Sequence, residues 1–186
     1  MNVVKDLLFI LWFFLPAALG NAAPILVAKI PLLKKYTFPL DCYATFRGKR
    51  VFGDHKTVRG LVSGIVMGIL TVYLQIYLYS TIPLIRRFVP MDYTSINPFL
   101  LGTLAAGGAL VGDAVKSFFK RQVGIAPGQS WFPFDQIDYI LGGIVFTACY
   151  RQLTLVQYIL LFLLYFVLHP LATWLGYLMR LKESPI

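Results

Sequence analysis

The chain has 186 residues, of which 58% are hydrophobic and 13% are charged, and its formal net charge is +9 at pH 7. A mean hydropathy of +0.72 excludes a water-soluble globule of this size, because so many apolar side chains cannot all be buried in a small core. The sequence therefore predicts an integral membrane protein. Its basic residues follow the membrane topology, so no nucleic acid partner is expected.

Five apolar segments reach, or nearly reach, the roughly 20 residues that a helix needs to cross the hydrocarbon core of a bilayer. The first is too long, and too closely joined to the next part of the chain, to be a cleaved signal peptide. The fourth reaches spanning length only if its helix begins next to Pro133, which suits the first turn of a helix. The segments predict an all-α polytopic membrane protein, a single integral domain over residues 1–186 with five transmembrane helices. These helices cover about residues 3–22, 61–82, 96–120, 134–151 and 153–178.

Lys and Arg residues are distributed unevenly between the two sides of such a bundle. With five spans, 13 of the 17 fall in the loops after helices 1 and 3 and in the C-terminal segment, which contains Arg180 and Lys182. Because basic loops remain in the cytoplasm, the N-terminus is expected outside and the C-terminus in the cytoplasm. We therefore predict a multi-pass protein of the cell membrane, with two long cytoplasmic loops that form an active site on the cytoplasmic side.

The stretch from residue 112 to residue 138 concentrates acids and bases at the inner membrane border. Asp113 lies near the inner end of helix 3, where an ionisable group is costly enough to indicate a function. Asp135 and Asp138 are three residues apart, so they point the same way from the first turn of helix 4. Three carboxylates are thus expected to converge. The bases and hydroxyl that share or adjoin the helical face of Asp113 are Lys116, Ser117, Lys120 and Arg121.

Converging carboxylates beside bases are typical of a magnesium site for a polyphosphate. One or two carboxylates usually hold Mg²⁺ together with substrate phosphates, and neighbouring bases neutralise the remaining charge. One or two Mg²⁺ ions are expected here. The alternative is that the bases only anchor the helix at the membrane border and the aspartates neutralise them.

The first long loop contains a second basic segment, "RGKRVFGDHKTVRG" at residues 47–60. Its glycines allow close backbone approach, and acid and hydroxyl residues are mixed with the bases, which favours an ordered anion site. It lacks the GxxxxGK[ST] pattern of a Walker A loop. The alternative is an ordinary basic cytoplasmic loop. We expect His55 to have a structural or hydrogen-bonding role rather than to shuttle protons.

Four stretches resemble a known enzyme family: "NAAP" at 21–24, "FGDHKTVRG" at 52–60, "GDAVKSFFKR" at 112–121 and "PGQSWFPFDQID" at 127–138. They resemble the archaeal CDP-archaeol synthases, a branch of the phosphatidate cytidylyltransferase superfamily. Gln136 stands where the wider superfamily has arginine, and SWFPF replaces a glycine-rich run, as in the archaeal branch. The superfamily signature falls on Asp113, Ser117, Lys120, Arg121, Pro127, Gly128, Asp135 and Asp138.

The resemblance implies cytidylyl transfer from CTP to an isoprenoid ether-lipid phosphate, 2,3-bis-O-geranylgeranylglyceryl 1-phosphate. The expected partners are thus CTP, this lipid phosphate and the surrounding membrane lipids. The resemblance also implies that Asp113, Asp135 and Asp138 hold Mg²⁺ and act in catalysis together with Lys120. The residues expected to bind CTP or its phosphates are Asn21, Gly53, Asp54, His55, Lys56, Thr57, Arg59, Lys116, Ser117 and Arg121.

Other functions remain open from the residues alone. Apolar helix faces do not distinguish isoprenoid from acyl chains, so a CDP-diacylglycerol-type synthase that acts on an ester-linked phosphatidate is one alternative. A small membrane transporter of anions or nucleotides is another, although charges at one border and the absence of an apparent repeat disfavour it. The D-x-x-D-G-x-x-A-R pattern of CDP-alcohol phosphotransferases does not occur in the sequence.

Overall fold

The computed structural model describes residues 3–179. Residues 1–2 and 180–186 lie outside the described residues, and these include Arg180 and Lys182. The described chain is mainly helical, with one small β-hairpin in the first long loop. In chain order the elements are α1 (Val3–Val27), α2 (Pro31–Lys34), β1 (Thr45–Phe46), β2 (Lys49–Arg50), α3 (Val58–Thr81), α4 (Pro83–Phe88), a 3-10 helix (Tyr93–Ser95), α5 (Pro98–Gln122), α6 (Phe134–Ala148) and α7 (Leu155–Leu178).

Four of these helices, α1, α3, α5 and α7, are long and apolar enough to cross a membrane. Each has 24 or 25 residues, or about 36 Å of helix, which exceeds the roughly 30 Å hydrocarbon core. Helix α6 has 15 residues, about 22 Å, and ends three residues before the predicted boundary at 151. Helix α1 continues five residues beyond its predicted end, through Pro24. A proline leaves one helix carbonyl without its N–H donor, but neighbouring groups can hydrogen-bond to that carbonyl, so the helix need not end there.

Local sequence signals fix where the long helices begin. The Thr57 side chain accepts a hydrogen bond from Gly60 N (3.1 Å) and caps α3, and the Asn97 side chain caps α5 in the same way. Thr154 and Gln157 form a reciprocal capping box at the start of α7. Small polar residues at these positions satisfy backbone N–H groups that have no partner inside the helix.

Proline determines how α1 packs against α3. Pro16 has no N–H, so the carbonyl of Trp12 lacks its usual donor four residues further along the helix. The side chain of Gln75, on α3, is buried and its Nε2 donates to that carbonyl at 2.6 Å. One buried amide thus satisfies a carbonyl that apolar surroundings would leave unpaired, and it joins the two helices.

Glycines bring α5 and α6 into backbone contact. A Cβ on Gly112 would collide with the carbonyl oxygen of Asp138, and one on Gly142 would collide with that of Gly108. Small residues at such crossings let two membrane helices approach closely. The contact places Asp113, on α5, beside Asp138, on α6.

The apolar core lies between α1 and the helices around it. Phe14 of α1 is completely buried, and its ring packs against the rings of Tyr139 (centroids 6.3 Å apart) and Tyr165 (4.8 Å). Helix α7 packs mainly against α1 and α6. The polar ends of α1, α5 and α7 line one space at the same end of the bundle.

Candidate active site

A cavity of about 710 Å³ opens where α1 and α5 end and where α3 and α6 begin. The first long loop closes one side, and residues 127–130 and the second half of α7 complete the wall. The cavity brings together every residue that the sequence predicts for the site, from four separate parts of the chain. These are Asn21, Gly53, Asp54, His55, Lys56, Thr57, Arg59, Asp113, Lys116, Ser117, Lys120, Arg121, Asp135 and Asp138.

The three predicted aspartates converge on one ammonium group. Lys116 Nζ lies 3.1 Å from Asp113 Oδ1, 2.7 Å from Asp135 Oδ1 and 2.8 Å from Asp138 Oδ2. The Lys116 side chain is only 14% exposed and that of Asp138 only 5%. Helix spacing puts Asp113 and Lys116 on one face of α5 and Asp135 and Asp138 on one face of α6. The close crossing of α5 and α6 brings these two faces together.

Two further lysines complete the charge balance of this cluster. Lys56, from the first long loop, forms an ion pair with Asp113. The buried Lys120 Nζ lies 3.2 Å from both oxygens of Asp135 and also donates to the carbonyl of Gln129. Three carboxylates thus face three ammonium groups, so a polyanion that enters the cavity finds lysines already held in place by these carboxylates.

The predicted metal triad is arranged around a lysine. Within residues 3–179, no three carboxylate, imidazole or thiol groups are placed so that they could hold a metal ion as they stand. Lys116 instead occupies the point where the three carboxylates converge, with its Nζ within 3.1 Å of one oxygen of each. The donor type nevertheless suits a hard divalent cation, because all three side chains offer carboxylate oxygens.

The first long loop is organised by Asp41, a residue that the sequence reasoning missed. Its side chain is fully buried and accepts hydrogen bonds from Arg50 Nη2 (2.7 Å), Phe52 N (2.9 Å), Gly53 N (3.1 Å) and Tyr43 N (3.1 Å). Burial raises the pKa of Asp41, but the Arg50 guanidinium and the backbone donors outweigh it and lower that pKa to about 2. The carboxylate therefore stays ionised and holds the segment that lines the cavity.

A β-hairpin docks the same loop on the end of α5. Arg47 and Gly48 both have positive φ, as a two-residue hairpin turn requires, and glycine adopts this conformation without strain. On the second strand, Lys49 Nζ donates to the carbonyl of Gln122 at 2.7 Å, where the last carbonyls of α5 attract a cation. From the first turn of α3, Arg59 donates to the carbonyl of Leu33, in the short helix α2, at 2.9 Å.

Several predicted ligands have structural contacts, and helix α7 contributes wall residues that the sequence did not suggest. Thr57 caps α3, and Asp54 is largely exposed and pairs with Arg50 (2.7 Å). On α7, His169 and Thr173 line the cavity. No local motif marks these two residues, because they reach the cavity through the packing of α7 against α1 and α6.

Comparison with known proteins identifies the family. Residues 3–186 match the CarS-like family, which is described as CDP-archaeol synthase. The chain belongs to the CDP-archaeol synthase family. A CDP-archaeol synthase from Thermococcus onnurineus is 32% identical over 98% of both chains, and one from Pyrobaculum calidifontis is 30% identical over 100% of this chain and 99% of its own. A third, from Methanospirillum hungatei, is 36% identical over 74% of this chain and 82% of its own.

A solved structure agrees with this family membership. It belongs to an intramembrane enzyme for archaeal membrane lipid biosynthesis, and its TM-score with the present structure is 0.67 at 27% sequence identity. The match covers 87% of this chain and 90% of the solved one. The helical fold of this chain is thus shared with an enzyme that works inside a membrane.

Proposed function

We propose that this protein transfers the cytidylyl group of CTP to 2,3-bis-O-geranylgeranylglyceryl 1-phosphate, which yields the CDP-lipid and pyrophosphate. The observation that carries the proposal is the cluster of three carboxylates and three ammonium groups that lines a cavity in a bundle of apolar helices. Such a cluster offers counter-charges to a polar nucleotide and to a lipid phosphate whose chains lie in the apolar phase.

The chemistry requires little proton transfer. A lipid phosphate has a second pKa of about 6, so at neutral pH it is largely ionised and already nucleophilic. One of its oxygens attacks the α-phosphorus of CTP, a new P–O bond forms, and the bond to the β-phosphate oxygen breaks to release pyrophosphate. The protein has to bring two anions into line and offset their repulsion, which is a task of positioning and electrostatics.

The lysines of the cluster are suited to this task. Lys116 and Lys120 are held by aspartates on one side and line the cavity on the other. The positions of their ammonium groups are therefore set before a substrate binds. Lys56 contributes from the loop and Arg121 from the end of α5. We assign these four bases to the phosphates of CTP and of the lipid, with Ser117 as a hydrogen-bond donor rather than a nucleophile, since no base among the described residues is placed to activate it.

A divalent cation would be held by Asp113, Asp135 and Asp138. Their carboxylate oxygens are the ligands that Mg²⁺ prefers, and one or two Mg²⁺ ions would add positive charge against the triphosphate. Lys116 contacts all three aspartates, so it would have to release them, and substrate phosphates offer it new partners.

The segment from Gly53 to Gly60, which ends in the first turn of α3, is assigned to the rest of the nucleotide, with Asn21 nearby. Asp41 supports this assignment, because its hydrogen bonds to Phe52 N and Gly53 N fix the backbone at the start of that segment. A preordered loop loses less conformational entropy when it binds a ligand.

An assay of purified protein in detergent tests the proposed function. With CTP, Mg²⁺ and the diether lipid phosphate, we expect one pyrophosphate released for each CDP-lipid formed. Matched ester-linked phosphatidate is expected to react less well, and equal rates would indicate the CDP-diacylglycerol alternative. Transport of CTP without pyrophosphate release would contradict the enzyme and favour a transporter.

We further propose five spans, with the N-terminus outside and the cavity facing the cytoplasm. The contacts of α6 with both ends of α5 support a fifth span despite its length. At one end Asp135 lies 3.2 Å from Lys120, and beyond the other end the Tyr150 hydroxyl accepts from Asn97 N at 3.1 Å. Helix α6 and its flanking residues therefore run along most of a helix that is long enough to cross the membrane.

Cysteine labelling tests this topology. Cys42, in the first long loop, is an exposed free thiol, as is Cys149 at the opposite end of the bundle. In Cys149→Ser, a membrane-impermeant maleimide should not label Cys42 in intact cells, because that loop is assigned to the cytoplasm. With both native cysteines replaced by serine, Arg87→Cys should be labelled. Labelling of Cys42 from outside would contradict the proposed orientation.

A further inference from the structure

Gln136 is a polar side chain in the cavity wall that the proposed chemistry leaves unused. It is only 3% exposed, it lines the cavity, and its Oε1 has no hydrogen-bond partner within residues 3–179. Buried polar atoms in folded proteins nearly always have a partner, so an unpaired one that borders a ligand cavity points to the ligand. In sequence, Gln136 is notable only because the wider superfamily has arginine at this position.

On helix α6, the side chain of Gln136 points in a different direction from those of Asp135 and Asp138, the aspartates before and after it in the sequence. Gln136 shares a buried helical face with Tyr139 and Ile140, at spacings of three and four residues. The ring of Tyr139 lies 6.3 Å from that of Phe14 on α1 and 5.3 Å from that of His169 on α7. Gln136 therefore faces the α1 and α7 side of the cavity, whereas the aspartates of α6 face α5. A ligand whose phosphates lie at the aspartates would place its next group near Gln136.

The chemistry of the unpaired oxygen indicates which of the two substrates Gln136 contacts. Gln136 carries no charge, so it is suited to a neutral group rather than to a phosphate, and an acceptor oxygen needs an N–H or O–H donor. A dialkyl or diacyl glycerol phosphate has no neutral donor, because both glycerol hydroxyls are substituted. CTP has the cytosine amino group and two ribose hydroxyls. We infer that Gln136 accepts a hydrogen bond from the nucleoside part of CTP and helps to determine nucleotide specificity, an inference that rests on the proposed function.

The test replaces Gln136 by methionine, which has a similar length and no hydrogen-bonding group. Loss of one buried hydrogen bond should raise KM for CTP about tenfold, while KM for the lipid phosphate stays within about twofold. Calorimetric titration of the variant with CTP should show the same weakening without turnover. Gln152→Met, on an exposed loop at the opposite end of the bundle, is the matched control and should behave like the wild type.

Nucleotide analogues show which donor is bound. If it is the amino group, the wild-type preference for CTP over UTP should fall about tenfold in Gln136→Met. If it is the ribose 2′-hydroxyl, the preference for CTP over 2′-deoxy-CTP should fall instead. Should the methionine variant fail to fold, Gln136→Asn, which withdraws the amide by one methylene, should show the same shift in KM for CTP.

Two results would overturn the inference: an unchanged KM for CTP, or a rise confined to KM for the lipid phosphate, which would assign Gln136 to the lipid. Failure of the proposed function is distinguishable from both. In that case the wild-type protein itself would release no pyrophosphate from CTP in the presence of the lipid phosphate.

Discussion

Asp113→Asn is expected to reduce CTP-dependent formation of the CDP-lipid by about 10³-fold or more, while the helical bundle remains folded. Asparagine keeps the size and much of the hydrogen bonding of the side chain, but it removes the charge that pairs with Lys56 and Lys116. It also removes a carboxylate that the proposed Mg²⁺ site requires. Turnover should be measured from pyrophosphate release, and folding from the thermal melting of the detergent-solubilised protein.

The fold should survive Asp113→Asn because the cluster and the loop have other anchors. Lys116 still contacts Asp135 and Asp138. The first long loop is still held by Asp41, whose carboxylate binds Arg50 and backbone N–H groups. A loss of activity with an unchanged melting temperature would therefore report on the site and not on unfolding.

Asp92 provides a matched control for that substitution. It is a residue on the connection between α4 and α5, and it accepts from Thr94 N (2.9 Å) and Thr94 Oγ1 (2.7 Å). The Thr94 side chain and backbone lower the pKa of Asp92, so Asp92→Asn removes one full negative charge at neutral pH. Asparagine caps as well as aspartate, and we expect nearly wild-type activity. Equal losses in the two variants, or full activity of Asp113→Asn, would contradict the assigned role of Asp113.

Helical periodicity accounts for the part of the site that the sequence can predict. Asp113, Lys116 and Lys120 are spaced at three and four residues, so any helix through them places them on one face. Gly108 and Gly112 recur at four residues and indicate a close helix contact, which is where α6 crosses α5. Membrane helices are bounded by strong local signals, and so the predicted span at 61–82 lies close to the observed α3 at Val58–Thr81.

The remaining features depend on contacts between distant parts of the chain. Asp41 binds Phe52 and Gly53, eleven and twelve residues further on, and no pattern around Asp41 indicates which backbone groups it will meet. The position of Lys116 among three carboxylates depends on the register of α5 against α6. Sequence spacing predicts that the aspartates converge, but it cannot predict that an ammonium lies between them.

Lys120 distinguishes a specific phosphate site from a generic basic surface. Its side chain is buried and lines the cavity, whereas Arg86, at the opposite end of the bundle, is exposed and donates to the carbonyl of Tyr79 at 2.8 Å. If the bases only follow the membrane topology, removal of either charge should have the same effect. If Lys120 faces the reacting phosphates, removal of its charge should be far more harmful, because electrostatic contacts are stronger where water is excluded.

Lys120→Gln should therefore lower kcat/KM about 10²-fold, while Arg86→Gln stays within about twofold of the wild type. The fold should tolerate Lys120→Gln, since Asp135 retains Lys116 at 2.7 Å and the N–H of Trp131. Lys120→Arg keeps the charge and should lose less activity than Lys120→Gln, which a purely steric role would not explain. Equal activity of Lys120→Gln and Arg86→Gln, with both proteins folded, would show that the bases act generically and that Lys120 does not contact the phosphates.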